Sequence, residues 1–139
     1  MPSLLETITL PREILDEMLA HARGDAPNEC CGLLIGKRGA IEQSVRAGNL
    51  QASSNRYLID PADHFAAVHA ARKLGLAVIG AYHSHPAGDA VPSATDINEA
   101  SGDADFVYVI VAVAEGADEA VRAYLFNRGT SRSIRLEIC

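Results

Sequence analysis

Cysteine is scarce in this chain and poorly placed for cross-linking: Cys30 and Cys31 are adjacent, Cys139 stands at the terminus, and no Cys-x-x-Cys occurs. Such a set makes a poor disulfide framework. The sequence therefore predicts a reduced, cytoplasmic protein in which Cys30 and Cys31 are small buried residues. Runs of positive charge are also missing. Nothing exceeds the pairs Lys37-Arg38 and Arg72-Lys73, and the formal net charge is -6. Nucleic-acid binding normally shows a basic patch or stripe, so no nucleic-acid partner is expected. Long apolar runs are absent as well. The most apolar stretch, Phe106 to Ala114, falls short of the roughly 20 residues needed to span a bilayer. The start, Met1-Pro2-Ser3-Leu4-Leu5-Glu6, lacks the basic and apolar regions of a signal peptide. No membrane contact is expected.

What remains is ordinary for a globular protein: 139 residues, 48% hydrophobic and 22% charged, without repeats or low complexity. That length is enough to bury a core, and it predicts one domain spanning 1–139. Thr7 to Leu10 alternates as a short strand. Ile14, Leu15, Met18, Leu19 and Ala22 recur at helical spacing up to Gly24. His21, near the end of that helix, reads as a solvated surface residue. A buried strand from Cys30 to Gly36, a turn at Lys37-Arg38-Gly39 and a strand from Ala40 to about Arg46 follow. Gly48 to Asn55 reads as a loop and Arg56 to Asp60 as a short strand. Pro61 opens a second helix, capped by Asp60 and closed by Gly75. Its alanines predict close packing on a sheet, with His64 and His69 in surface or packing roles.

Next come a strand from Leu76 to Ser84, a loop, and a short helix from Ser93 to about Ser101. Gly102 to Asp105 is a turn. Phe106 to Val113 reads as a central strand covered on both faces. A turn at Gly116-Ala117-Asp118 leads to strands over Ala120 to Phe126 and Arg132 to Ile138. The pattern predicts one mixed α/β domain, with helices packed on a sheet whose interior strands end near Glu29 and His83.

The stretch Ala81-Tyr82-His83-Ser84-His85-Pro86 carries the chemistry. On a strand, residues i and i+2 share a face about 6.6 Å apart, so two imidazoles can converge on one metal ion. A carboxylate returning from the loop can supply a third ligand. Taken singly, His-x-His is weak, and Ser93-x-x-Asp96 reads equally as a helix capping box. The conjunction is stronger: His83 and His85 end an apolar strand, Pro86, Gly88 and Pro92 turn the chain back, and Asp96 arrives in the first turn of a helix. Glu29 stands at the mouth of another apolar strand. Ser84 faces away from both imidazoles and reads as structural.

These residues match a family. His83-Ser84-His85-Pro86, seven residues, then Ser93-x-x-Asp96 resembles the zinc motif of the JAMM/MPN+ (JAB) metalloproteases. Pro27-Asn28-Glu29-Cys30-Cys31-Gly32-Leu33-Leu34-Ile35-Gly36 resembles the segment bearing that family's catalytic glutamate. The resemblance implies a deaminase-like α/β fold, a single three-layer α-β-α domain with a mixed, curved β-sheet, and one zinc ion per chain on His83, His85 and Asp96. It implies Glu29 as general acid/base and Ser93 as donor to the oxyanion. Ser93 can cap its helix and serve chemistry together, whereas Asp96 is not expected to do both easily. It further implies hydrolysis of peptide or isopeptide bonds at the tails of ubiquitin-like proteins. Short connections resemble the compact bacterial branch, and so imply a sulfur-carrier or ubiquitin-like protein ending in Gly-Gly as substrate. A homodimer is left open. Other readings are a non-enzymatic scaffold and a peptidase of unrelated small peptides. Nucleoside deamination is disfavoured, because that zinc class uses His-x-Glu with Pro-Cys-x-x-Cys and neither occurs.

Overall fold

The structure, a computed structural model, describes residues 4–98, 103–113 and 120–139. In chain order these form β1 (Thr7–Leu10), α1 (Arg12–Asp25), β2 (Cys31–Lys37), β3 (Ala40–Ala47), α2 (Pro61–Lys73), β4 (Ala77–His85), α3 (Ala94–Asn98), β5 (Val107–Ala112), β6 (Ala120–Asn127) and β7 (Thr130–Ile138). The expected turns fall where their glycines allow. Gly39 between β2 and β3 has φ +81°, and Gly129 between β6 and β7 has φ +80°, a region only glycine enters freely. The end of the third helix toward Ser101, the turn residue Gly102 and the turn at Gly116-Ala117-Asp118 lie outside the described residues.

The sheet is mixed, as expected, and it also closes on itself in the order β1-β3-β2-β4-β5-β6-β7. β4 and β5 run parallel, and β1 runs parallel to both β3 and β7. The short β1 closes the ring because both of its edges are used. It pairs Thr7 through Leu10 with Arg135 through Ile138 on one side and Thr9 with Ala40 on the other.

Strand alternation divides β2 between two cores. Leu34 joins Ile14, Leu15 and Met18 of α1 within the curl of the sheet. Leu33 and Ile35 meet Ala67 and Ala71 of α2 on the outer face. Small side chains there let α2 lie close against the strands, giving the three layers. Asp60 caps α2 as expected, its carboxylate accepting the Ala62 N–H at 2.9 Å.

Two expectations are corrected. His21 is buried, with Nδ1 2.7 Å from the Tyr82 hydroxyl and Nε2 3.3 Å from Asp25. It lies three residues beyond Met18, on the face of α1 that packs into the sheet, and a buried tyrosine hydroxyl needs a partner there. Tyr82 fits because Gly32 lies opposite it: a Cβ on Gly32 would collide with the ring. Residues 56–60 form no strand beyond a single bridge between Asn49 and Ile59. The Asn49 side chain takes the bonds that a strand partner would have made. Its amide donates to the Arg56 carbonyl, and its Oδ1 accepts the Gln51 and Leu58 N–H groups.

Cys30 and Cys31 are buried and free, as expected, while Cys139 is exposed. Burial pushes the Cys30 thiol up to about 11 and the Cys31 thiol up to about 12. Thiolates are the reactive form, so native protein at pH 8 is expected to take one iodoacetamide label, at Cys139. Denatured protein should take three. Rapid native labelling of Cys30 or Cys31, read by mass spectrometry, would contradict that burial.

Candidate metal centre

Alternation along β4 places Ala81, His83 and His85 on the α2 face and Tyr82 and Ser84 on the α1 face. Ser84 is structural, as expected. It is buried, its Oγ accepts the Cys30 N–H at 2.8 Å, and its own N–H donates to the Cys30 carbonyl at 3.1 Å. That pair of bonds ties the end of β4 to the residue after Glu29. Glu29, 4% exposed, is held by its backbone as well: its N–H donates to Ser53 and its carbonyl accepts from Asn49 Nδ2.

The loop after β4 returns a carboxylate. Its course is set by the His85 ring, whose Nδ1–H donates to the Asp89 carbonyl at 2.7 Å, and by the Tyr124 hydroxyl, which donates to Ala90. Ser93 then opens α3. Its Oγ accepts the Asp96 N–H at 3.0 Å, and Asp96 Oδ2 accepts the Ser93 N–H at 2.9 Å. This is the reciprocal capping box. The same Oδ2 lies 3.2 Å from His83 Nε2 and 3.1 Å from His85 Nε2. The cap and the position expected of a ligand thus fall on the same carboxylate oxygen, which faces the Ser93 N–H and both imidazoles. Ser93 Oγ, already an acceptor, keeps its proton for a further donation.

Glu29, His83, His85 and Asp96 each offer a ligand atom, all within 4.8 Å of one another. His83 Nε2, His85 Nε2 and Asp96 Oδ2 form a triangle with edges of 3.1 to 3.2 Å. Donors bound tetrahedrally at about 2.05 Å lie about 3.3 Å apart, so the triangle fits one face of such an ion. Among the described residues, two buried polar side-chain atoms have no hydrogen-bond partner, Glu29 Oε1 and His83 Nδ1. The donor set of two imidazoles and a carboxylate, with a second carboxylate standing near, suits a divalent metal ion.

The protonation states of Glu29, His83 and Asp96 agree with that use, whereas His85, which burial alone would lower, is raised by its hydrogen bonds to Asp96 and the Asp89 carbonyl. Burial lifts Glu29 from the ordinary 4.5 to about 7, further raised by Asp96 and opposed by His85. Burial also drives His83 below the usual imidazole value against the pull of Asp96, which favours the neutral ring that can ligate. Burial alone would raise Asp96, but hydrogen bonds from His83, His85 and the Ser93 N–H outweigh it. Its carboxyl is held well below the usual range.

Two cavities flank the centre. One, of about 260 Å³, is lined by Glu29, Asn55, His85, Gly88 and Ser93 among others. The second, of about 290 Å³, is largely apolar, with Leu33, Tyr57, Ile59, Phe106 and Tyr108 in its wall and Asp96 at one end. Tyr57 also stacks on His83, with ring centroids 4.4 Å apart and planes 19° from parallel. Neither Tyr57 nor Asn49 was identifiable from residue type or spacing. His64 and His69 are exposed on α2 and outside the four-residue cluster, although His64 lines the second cavity.

Known proteins resemble this chain over most of its length. Residues 11–126 match a family described as prokaryotic homologues of the JAB domain. A "Probable TtuB-protein conjugate cleaving protease" of Thermus thermophilus is 37% identical over 121 residues, covering 86% of this chain and 76% of the relative. A "CysO-cysteine peptidase" of Mycobacterium tuberculosis is 30% identical over 119 residues, covering 84% and 81%. The solution structure of a protein from Desulfitobacterium hafniense superimposes with a TM-score of 0.87 at 35% identity, covering 96% of this chain and 93% of that one.

Proposed function

The chain belongs to the family of prokaryotic homologues of the JAB domain, and from that membership we propose that it is a zinc-dependent peptidase or isopeptidase. Its substrate is a ubiquitin-like or sulfur-carrier protein, cut after the C-terminal Gly-Gly tail. The observation that carries this reading is the donor triangle of His83, His85 and Asp96 with Glu29 Oε1 unpartnered beside it. The names of the two relatives, one acting on protein conjugates and one on a cysteine adduct, support the substrate class. The small cavity walled by Ala87 and Gly88 suits a tail without side chains. Three free cysteines support the assignment to the cytoplasm.

His83, His85 and Asp96 would hold one zinc ion, which when bound supplies Lewis-acid activation of a water and of the scissile carbonyl. Glu29 takes a proton from the attacking water as the new C–O bond forms. It returns that proton to the amine nitrogen as the C–N bond breaks, and a pKa of about 7 suits both transfers. The Ser93 hydroxyl donates to the oxyanion that develops on the carbonyl. Ser93→Ala is expected to lower turnover by about 10²–10³-fold and to weaken the α3 cap by about 1 kcal/mol. Ser93→Thr should retain most of both. An alanine variant with the parent's kcat would remove Ser93 from the mechanism. Metal analysis tests the reading as a whole: the purified protein should carry close to one zinc per chain, and protein that stays metal-free after reconstitution with zinc would sink it.

A further inference from the structure

Ligand histidines are normally oriented by a hydrogen bond from the ring nitrogen that does not face the metal. His85 has one, from Nδ1 to the Asp89 carbonyl at 2.7 Å. His83 does not: its Nε2 faces Asp96 and His85, and its Nδ1 has no partner among the described residues although the ring is fully buried. What lies against His83 instead is the flat face of Tyr57, at 4.4 Å and 19°.

Tyr57 is itself clamped. The Asn49 side chain binds the backbone on both sides of it, donating to the Arg56 carbonyl and accepting the Leu58 N–H. The same amide nitrogen donates to the Glu29 carbonyl, and the Ser53 carbonyl of this loop accepts the Glu29 N–H. A loop without regular structure thus fixes two things together, the backbone of Glu29 and the ring that packs on His83.

We infer that Tyr57 is the positioning residue for His83, its ring replacing the missing hydrogen bond, and that Asn49 locks it in register with Glu29. This rests on His83 being a metal ligand. It follows that the aromatic face of Tyr57 matters and its hydroxyl does not.

The test is zinc affinity by chelator competition, with no substrate present, on the full chain. Tyr57→Ala should bind zinc about 10–100-fold more weakly, the usual cost of losing an outer-sphere partner. Tyr57→Phe should stay within about threefold of the parent by the same reasoning. Leu50→Ala, an exposed residue of the same loop, should match the parent. With cobalt in place of zinc, the visible bands of Tyr57→Ala should shift or broaden while those of Tyr57→Phe keep the parent's form. Should Tyr57→Ala fail to fold, Tyr57→Leu supplies bulk without a flat face and should show the same deficit. Parent-like zinc affinity in the alanine or leucine variant would overturn the inference, as would a phenylalanine variant as weak as alanine. A parent protein that binds no zinc would overturn the metal reading itself, and this inference with it.

Discussion

Glu29→Gln is expected to leave the zinc content near the parent's and to lower kcat by about 10²–10⁴-fold, the range of a lost general base. The substitution keeps shape and removes only the group that can take and return a proton. His83, His85 and Asp96 lie 3.1 to 3.2 Å apart without it, so the metal should stay. The same change should stabilise the metal-free protein. Glu29 is 4% exposed and its carboxyl is lifted from 4.5 to about 7 by burial. An acid raised on folding favours the folded state fully below its unfolded value, and that contribution is lost as pH rises through the folded value. With a shift of this size, the ionised side chain costs the metal-free protein up to about 3 kcal/mol above pH 7. In chelator at pH 8, Glu29→Gln should therefore unfold at higher denaturant than the parent, with the gap closing toward pH 4.5. A variant that is both active and no more stable would contradict the proton-transfer role and the raised carboxyl of Glu29 together.

Asp96→Asn is expected to weaken zinc binding by more than about 100-fold, beyond the usual cost of losing an outer-sphere partner, while α3 stays formed. The two jobs of Asp96 Oδ2 separate cleanly here. An amide oxygen can still accept the Ser93 N–H, and the Asp96 N–H still has Ser93 Oγ, so a cap worth about 1 kcal/mol persists. The charge that faces both imidazoles is gone. Asp96→Ala should lose metal and cap together. Because the carboxyl is held well below its ordinary 3.8, its ionised form stabilises the fold above that pH. The benefit is withdrawn as pH falls through the depressed folded value. Circular dichroism and chelator competition on the two variants read the two roles separately. Equal zinc affinity in Asp96→Asn and the parent would take Asp96 out of the ligand set.

The four-residue cluster was legible in the sequence because each member carries a local signature. His83 and His85 follow from a two-residue period on an apolar strand, Asp96 from a capping pattern, and Glu29 from its place before a buried strand. The elements were legible for the same reason, since period and turn residues mark β2, β3, α2 and β5. Tyr57 was not, because its neighbours are satisfied by the Asn49 side chain earlier in the same loop, and Arg56 to Asp60 looks locally like a strand. His21 was missed for a tertiary reason, the Tyr82 hydroxyl that faces it across the core. Closure of the sheet depends on β1 meeting β7 more than one hundred residues later, a pairing no local period records.

The most direct measurement is the intact mass of the products when zinc-loaded protein meets a carrier protein joined through its Gly-Gly tail to a peptide. The predicted result is a single cut, with a carrier fragment ending in a free Gly-Gly carboxylate, a peptide with a free amine, and one water gained between them. The cut should be lost in Glu29→Gln. An uncut substrate across several carrier proteins, with zinc bound at close to one per chain, would contradict the proposed function.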